Sequence, residues 1–495
     1  MNVIDRVVNF FAPQAGLSRI KARAQSSVLM NYDAASKGRR TYGWKSPATA
    51  ADAAAYGQRP QLRQLSRDVI RNRPLAARAQ SVITGSVVGT GIVPSLNMSG
   101  ASEEAKQAAF DTLRKHVWSP NIDALGENTL FGLQTIVMNT VFSDGEIFVR
   151  QRIREARFNP GLTIPLQLEL IEADYLNVTI TSQGQNQVIE GVEYGPTGAI
   201  EAYHFWNRHP GDIRVPQNGL ISTRWPASRV LHIRRADRPG QLRGVPWLAP
   251  VMMTLGEISD YVEAQILKQR MAALVAGVIT STADGGPANT KALEDLAPGA
   301  LVNVPEGSEI SWTNPPRVDG YAEFIKQAVA MIAVGIGVTY ESLSGDLSQV
   351  NFSSAQMGHM VMDRNVEIWQ IMLINQFCEG VERWLIEAWR LMPTFPTMAF
   401  ELDWTAPRRP LINPRNDIPA MVEEIDAGLS SRQRKQRQLG LDPETIRRER
   451  VEDMNADKAA GLPPIMSKTS DQTKSATTAV QPNTAQEPDA KGTSK

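Results

Sequence analysis

Two groups of carboxylates stand nearest to catalytic chemistry. Asp144 and Glu146 lie two residues apart, and Glu169, Glu172 and Asp174 follow. Paired carboxylates hold magnesium for phosphoryl transfer. A metal-dependent nuclease using Asp144, Glu146, Glu172 or Asp174 is therefore one reading, and ordinary acids at strand ends are the other. The five histidines, His116, His204, His209, His232 and His359, form no HExxH or other metal-ligand pattern. His204 and His209 share a strand-and-turn region, where Pro210 and Gly211 make the second a turn residue. The run Gly85-Ser-Val-Val-Gly-Thr-Gly91 invites comparison with a phosphate-cradling loop but lacks the Lys-Ser/Thr pair. Its strong β-formers predict a strand with glycine bends. There is no Gly-x-Ser-x-Gly elbow in a strand–turn–helix setting and no ATPase fingerprint. Cys378, the only cysteine, lies in an apolar run and reads as a small buried hydrophobe. It excludes a disulfide or a cysteine zinc site within one chain. No catalytic, metal-binding or cofactor-binding residue is assigned, and this favours a structural or assembly role.

The elements around these residues read as α+β. The 495 residues carry 52 basic and 52 acidic side chains, with 42% hydrophobic and 21% charged, as in an ordinary globular chain of several domains. Zero net charge argues against a protein that grips DNA through many phosphates. The longest uncharged apolar run, 328–338, is shorter than the ~20 residues a bilayer needs. Residues 1–11 contain Asp5 and Arg6 and read as a short amphipathic helix, not a signal peptide. A lone cysteine fits a reducing cytoplasm.

Helical spacing predicts one helix over 61–83, with Arg63, Arg67, Arg71, Arg73 and Arg78 as a solvated basic face or a phosphate- or partner-binding one. Further helices are expected at 102–118, capped by Ser102, and at 127–143. Strands are expected at 145–153, 166–171, 188–194, 199–206 and 230–233. They make 84–240 a mixed region with a mostly antiparallel sheet. A helix from Pro246 to Ala273 carries Leu248, Val251, Leu255, Ile258, Val262 and Ile266 on one face. After a loop-rich insert, Asp319 is the expected cap of a helix ended by Gly335 and Gly337. A polar loop at 341–351 leads to a helix from Ser353 to Leu391, with bends possible at Gly358 and Gly380. Residues 398–404 are expected to return to the sheet as a strand. Two charged helices fill 416–458, and the Ser/Thr/Gln/Pro-rich tail is expected to be disordered.

Several separated stretches resemble the portal proteins of tailed bacteriophages, specifically the lambda-like family. They are Trp225-Pro-Ala-Ser-Arg-Val-Leu-His-Ile-Arg-Arg235, Gly240-Gln-Leu-Arg-Gly-Val-Pro-Trp-Leu-Ala-Pro250, Gly337-Val-Thr-Tyr-Glu-Ser-Leu-Ser-Gly-Asp346 and Asn351-Phe-Ser-Ser-Ala355. The segments from Arg71-Asn-Arg-Pro-Leu75 to Pro94 and Gly428-Leu-Ser-Ser-Arg432 also resemble it. The resemblance covers roughly 20–455 in the family's order.

It implies a phage portal fold with wing, long stem helices, clip insert, tunnel loop and helical crown. By analogy, 1–60 is an N-terminal arm, 61–245 the wing, 246–273 and 319–337 the stem helices, and 274–318 the clip. Residues 338–353 are the tunnel loop, 354–415 a long wing and channel helix with a return strand, 416–460 the crown, and 461–495 the tail. The implied assembly is a homo-oligomeric ring, usually of twelve subunits, at the capsid portal vertex of the virion, put together in the host cytoplasm. Double-stranded DNA is packaged and ejected through it. The implied partners are the terminase large subunit, which carries the ATPase, then head-tail connector proteins, and the major capsid and scaffold proteins. No membrane, cofactor or enzymatic activity is implied.

The residues add one physical argument. The loop at 341–351 has one Glu, one Asp and no Lys or Arg. It therefore lacks charge-assisted donors for phosphate, as a surface over which DNA slides requires. Ser342, Ser344, Gly345, Ser348, Gln349 and Asn351 are the candidate DNA-channel residues. Lys268, Arg270 and Lys326 are candidate channel-lining stem charges, or else intersubunit ion-pair partners. An ordinary solvated helix connection has the same composition. An architectural capsid adaptor without a channel stands beside the nuclease as a rival.

Overall fold

The computed structural model describes residues 47–462 without 156–158, 160, 215–218, 275–277, 282–307, 312–319, 349 and 408–412, together with positions 14, 18, 21, 39, 42 and 43. The expected helix at 1–11, most of the arm and of the clip, Asp319, Gln349 and the tail from 463 lie outside the described residues. Among the described residues, no helix is long and apolar enough to cross a membrane. Residues 47–56 form one compact unit with Asp237–Leu242. There the Asp52 carboxylate accepts the Leu242 N–H at 2.8 Å, and Arg238 donates to the Thr49 carbonyl at 3.3 Å. The second unit is Gly57–Ala236 with the chain from Arg243 onward.

The second unit opens with α1 (Arg59–Asn72) and α2 (Pro74–Val87). The single helix expected here is broken at Arg73, which is extended at φ −117° and ψ 116°. Proline disfavours the helical conformation in the residue before it, and itself fits the first turn of α2. The strand expected at Gly85–Gly91 is also corrected. Gly85, Ser86 and Val87 finish α2, because Ile83 and Val87 are fully buried on its inner face, and residues 88–90 form the turn that follows. Burial has overridden β-propensity.

Next come β1 (Val93–Asn97), α3 (Glu103–Val117), α4 (Leu130–Asp144), β2 (Glu146–Ile153) and β3 (Leu166–Glu172). The Ser102 hydroxyl caps α3 by accepting the Ala105 N–H at 3.3 Å. An antiparallel meander follows, of β4 (Ser182–Gln183), β5 (Asn186–Ile189), β6 (Val192–Tyr194), β7 (Ile200–Trp206) and β8 (Ser222–Pro226), and then β9 (Val230–Arg234). The strand expected over 188–194 is two strands, turning at Glu190 and Gly191, which have φ 49° and 83°.

Strands β3-β2-β9 make a three-stranded sheet with β2 central. Both faces of β2 are covered. Ile147 and Val149 join the main core, while Phe148 joins a second core with Ile171, Tyr203, Phe205 and Val230. A simple alternation of apolar and polar residues is therefore not required of β2.

Helix α5 (Met252–Leu274) starts six residues after the expected Pro246. The preceding residues form turns that bury Trp247 against Phe142 and Trp369. Leu255 and Ile258 are buried, whereas Ile266 is 46% exposed. The short strands β10 (Val278–Ser281) and β11 (Ser308–Ser311) pair antiparallel in the insert. Helix α6 (Tyr321–Ile336) is entered by Gly320 and left by Gly337, both left-handed. Gly335 does not end the helix; it lies within it, pressed against Val251.

Helix α7 (Tyr340–Ser344) leads to α8 (Phe352–Leu373), a π-turn (Ile374–Cys378) and α9 (Glu379–Trp389). The expected long helix is thus continuous, with its irregularity at the π-turn. Gly380 lies in α9, where an added Cβ would sit 2.4 Å from the Leu231 side chain. Strand β12 (Glu401–Thr405) pairs with β1, so the expected return strand builds a separate two-stranded ribbon. Helices α10 (Pro414–Asp426), α11 (Arg432–Gln438) and α12 (Pro443–Ala459) complete the described chain.

Candidate nucleic-acid interface

The connection between α6 and α8 is built, not slack. Thr339 caps α7, its hydroxyl accepting the Ser342 N–H at 3.2 Å and lying 2.7 Å from the Ser342 hydroxyl. Leu343 is 2% exposed and anchors the segment in the core. Gly345, at φ 73°, closes α7. The Asp346 N–H donates to the Ser344 hydroxyl at 3.1 Å, and the Asp346 carboxylate accepts the Ser348 N–H at 3.0 Å. Asn351 caps α8 in a reciprocal box with Ser354, at 2.8 and 3.1 Å. Arg78 on α2 donates to the Ser342 carbonyl at 3.2 Å, a tether that sequence reading missed.

Of the expected channel residues, Ser342, Ser344, Gly345, Ser348 and Asn351 thus all take part in local turns and caps. Their polar groups are largely spent within the loop. Leu347 is 67% exposed at its outer edge. The three stem charges separate. Lys326 lies 5.7 Å from the Tyr340 ring centroid. The Ser348 hydrogen bonds first, and the Lys326 charge after them, hold the Asp346 carboxyl below its usual range. Lys268 and Arg270, on α5, make no hydrogen bond or ion pair among the described residues.

The carboxylates singled out for magnesium are counter-charged by arginine instead. Arg59, Arg63 and Arg67 recur every four residues on α1, so they share one face, and that face turns inward. Arg63 meets Asp174 at 2.8 Å. Arg67 meets Asp144, Glu172 at 3.1 Å and Asp174 at 2.7 Å. Arg59 pairs with Glu190. This corrects the solvated or phosphate-binding face expected of Arg63 and Arg67. The four-residue spacing was the available signal.

Glu146 is the centre of this network and has no exposed surface. It accepts Arg243 Nε at 2.9 and 3.0 Å, the Gly244 N–H at 2.9 Å, and lies 2.9 Å from His232 Nε2. The approach is possible because Gly145 and Gly244 face each other without side chains. A Cβ on Gly244 would sit 2.1 Å from the Gly145 carbonyl oxygen. Burial opposes ionisation of Glu146, yet the Arg243 charge and the hydrogen bonds from His232 and Arg243 hold its carboxyl well below the usual range. Glu172, Asp174 and His209 also converge, with His209 Nε2 at 3.5 Å from Glu172. Arg67 already neutralises both acids there, so a cation would have to displace it. His204 is held apart, on Glu193 at 3.0 Å.

Burial pushes the His116 imidazole down to about 4 from an ordinary 6.5. The unfolded chain then takes up a proton near pH 6.5 that the folded chain refuses until about pH 4. Stability is therefore lost as pH falls through that window. We expect His116→Leu to flatten the fall in urea midpoint between pH 7 and pH 4.5, an effect of roughly a few kcal/mol. An unchanged slope would contradict the buried neutral ring. His232, also lowered to about 4, leaves part of the fall in place.

The family described as phage portal protein, lambda family, matches residues 37–370. The probable portal protein of Halomonas phage phiHAP-1 is 24% identical over 475 residues, covering 89% of each chain. Portal protein B of Escherichia phage lambda is 22% identical over 478 residues, covering 85% of this chain and 88% of that one. Among solved structures, the neck of a native gene transfer agent particle computed with C12 symmetry is similar at a TM-score of 0.48 and 14% identity, covering 78% of this chain and 95% of that one. The chain belongs to the lambda family of phage portal proteins. It is a portal protein, and its part in packaging and ejecting double-stranded DNA at the capsid vertex follows from that membership.

Proposed function

We propose that the protein works as a ring, of twelve subunits on the family resemblance, with the 338–353 segment facing the DNA in its lumen. The observation that carries this reading is the α6–α8 connection itself. It is anchored by Leu343 and Arg78, its polar groups are bonded at home, and it offers no arginine or lysine of its own. A rigid edge without cationic donors guides a polyanion without trapping it. Of the two cations beside this edge, Arg78 is held on the Ser342 carbonyl and Lys326 is drawn to Tyr340 and Asp346.

Large apolar side chains on the outer faces of long helices support self-association. Val334 is 81% exposed on α6, and Met357, Val361 and Ile368 are 66%, 63% and 63% exposed on α8. Large apolar side chains left this exposed along a helix are suited to an interaction face. We place the clip, 274–318, against the terminase large subunit and later the head-tail connector proteins. The wing faces the major capsid and scaffold proteins, and host cytoplasm is the place of assembly.

Electron microscopy of the purified protein tests the reading. Rings with a central hole wide enough for a duplex are expected. Monomers or solid particles under all conditions would overturn it.

A further inference from the structure

The crown helices leave two uncovered surfaces of opposite character. Helices α11 and α12 border a cleft of about 560 Å³, rimmed by Arg432, Arg447 and Arg450 and floored in part by Val451 and Met454. Val451 is 51% and Met454 66% exposed. Arg432 and Arg450 meet no carboxylate within ion-pair distance among the described residues, and Arg447 reaches only Glu444 at 3.5 Å. Neighbouring cations differ: Lys435 is paired with Glu424, and Arg437 with Asp403.

Helix α10 supplies the opposite surface. Its apolar stripe runs through Ile418, Val422 and Ile425 at helical spacing. Ile425 reaches the cleft of its own chain, but Ile418 is 50% and Val422 43% exposed. Glu423 and Asp426 flank the stripe, both exposed and without an ion-pair partner among the described residues. No side chain of α10 or α11 is buried, and Pro443 is the only buried residue of α12. Three helices with so little core of their own need a further surface to pack against.

We infer that the outer stripe of α10, with Glu423 and Asp426, seats in the Arg432–Arg447–Arg450 cleft of the next subunit. Within one chain only Ile425 of the stripe reaches the cleft, and Ile418, Val422 and the three rim arginines stay exposed. Between chains they match in sign and in apolar content. Such a contact is heterologous, joining two different patches, and repeated around an axis it closes a ring. A duplex is the less suitable occupant of the cleft, because Glu444, Glu449, Glu452 and Asp453 line the same helix and would repel phosphate. The inference rests on the ring reading above and adds which surfaces meet.

The test uses disulfide trapping, which the fully buried Cys378 leaves free of background. Full-length Val422→Cys and Val451→Cys chains are prepared singly and mixed before assembly, and rings are scored by electron microscopy. On oxidation, a covalent dimer is expected in the mixture and in neither variant alone. Rings without the dimer, or a dimer from Val422→Cys alone, would overturn the proposal. Failure of the unmodified chain to form rings would instead count against the ring reading. As a second measurement, Asp426→Arg and Arg450→Asp should each lower ring yield, and the double variant should restore it. Loss that is not restored would also overturn the contact.

Discussion

Replacing Glu146 by Gln is expected to destabilise the subunit by about 3–5 kcal/mol, the cost of removing one partner from a buried ion pair. The substitution keeps shape and removes charge. Arg243, 4% exposed, and Arg63, also 4% exposed and 3.9 Å from Glu146, would then hold buried positive charge with less compensation. Glu172→Gln is the control. Its side chain is 48% exposed and meets Arg67 near solvent, so a change of about 0–1 kcal/mol is expected. Urea unfolding, with the midpoint compared at unchanged slope, measures both. Equal shifts in the two variants would mean that Glu146 is not the anchor described here. The sign with pH is also set. The folded Glu146 carboxyl is held below its unfolded value, so its contribution is present above the ordinary carboxylate range. It is lost as pH falls through the lowered folded value.

Placing lysines at the exposed edge of the 338–353 segment, as Leu347→Lys with Ser348→Lys, should leave assembly intact and slow DNA passage. Leu347 is 67% exposed, and the Ser348 N–H that bonds Asp346 is untouched by the change. Each new ammonium gives phosphate a charge-assisted partner. Even ~0.5 kcal/mol per subunit, summed around a ring, exceeds the 1.4 kcal/mol that changes an equilibrium tenfold. We therefore expect packaged DNA to fall at least about tenfold at low salt and to recover as salt rises, because phosphate contacts are salt-dependent. Ring imaging and a packaging assay at two ionic strengths check it. Unchanged packaging at low salt would remove the segment from the DNA path. Loss of rings would make it a folding element.

Strongly periodic elements were legible in the sequence. The spacing of Leu255 and Ile258 foretold their burial on α5, and Ser102 announced the start of α3. The antiparallel strands were legible from their turn glycines. What sequence reading misplaced depended on long-range partners. Gly85–Gly91 looked β-like because of its valines, yet packing held its first three residues in the end of α2, and residues 88–90 form a turn. Magnesium ligation stayed open as one reading of Asp144 and Glu146 because a local pattern does not show that Arg67 and Arg243, 77 and 97 residues away, neutralise them. The candidate loop was located by the family resemblance, with which its lack of positive charge agreed. Its internal order was hidden, since Thr339 and Asn351 act as caps only once the helices on either side are fixed.

The π-turn at Ile374–Cys378 has a consequence for how the two ends of that long element can change. A widened turn winds in an additional residue without completing the next revolution, so the angular phase of the chain resets there. Upstream, Val366, Trp369 and Leu373 are buried while Ile368 and Ile371 are exposed; downstream, Val381, Trp384, Leu385 and Trp389 are buried. A single-residue deletion between them would swing every later side chain onto the wrong bearing.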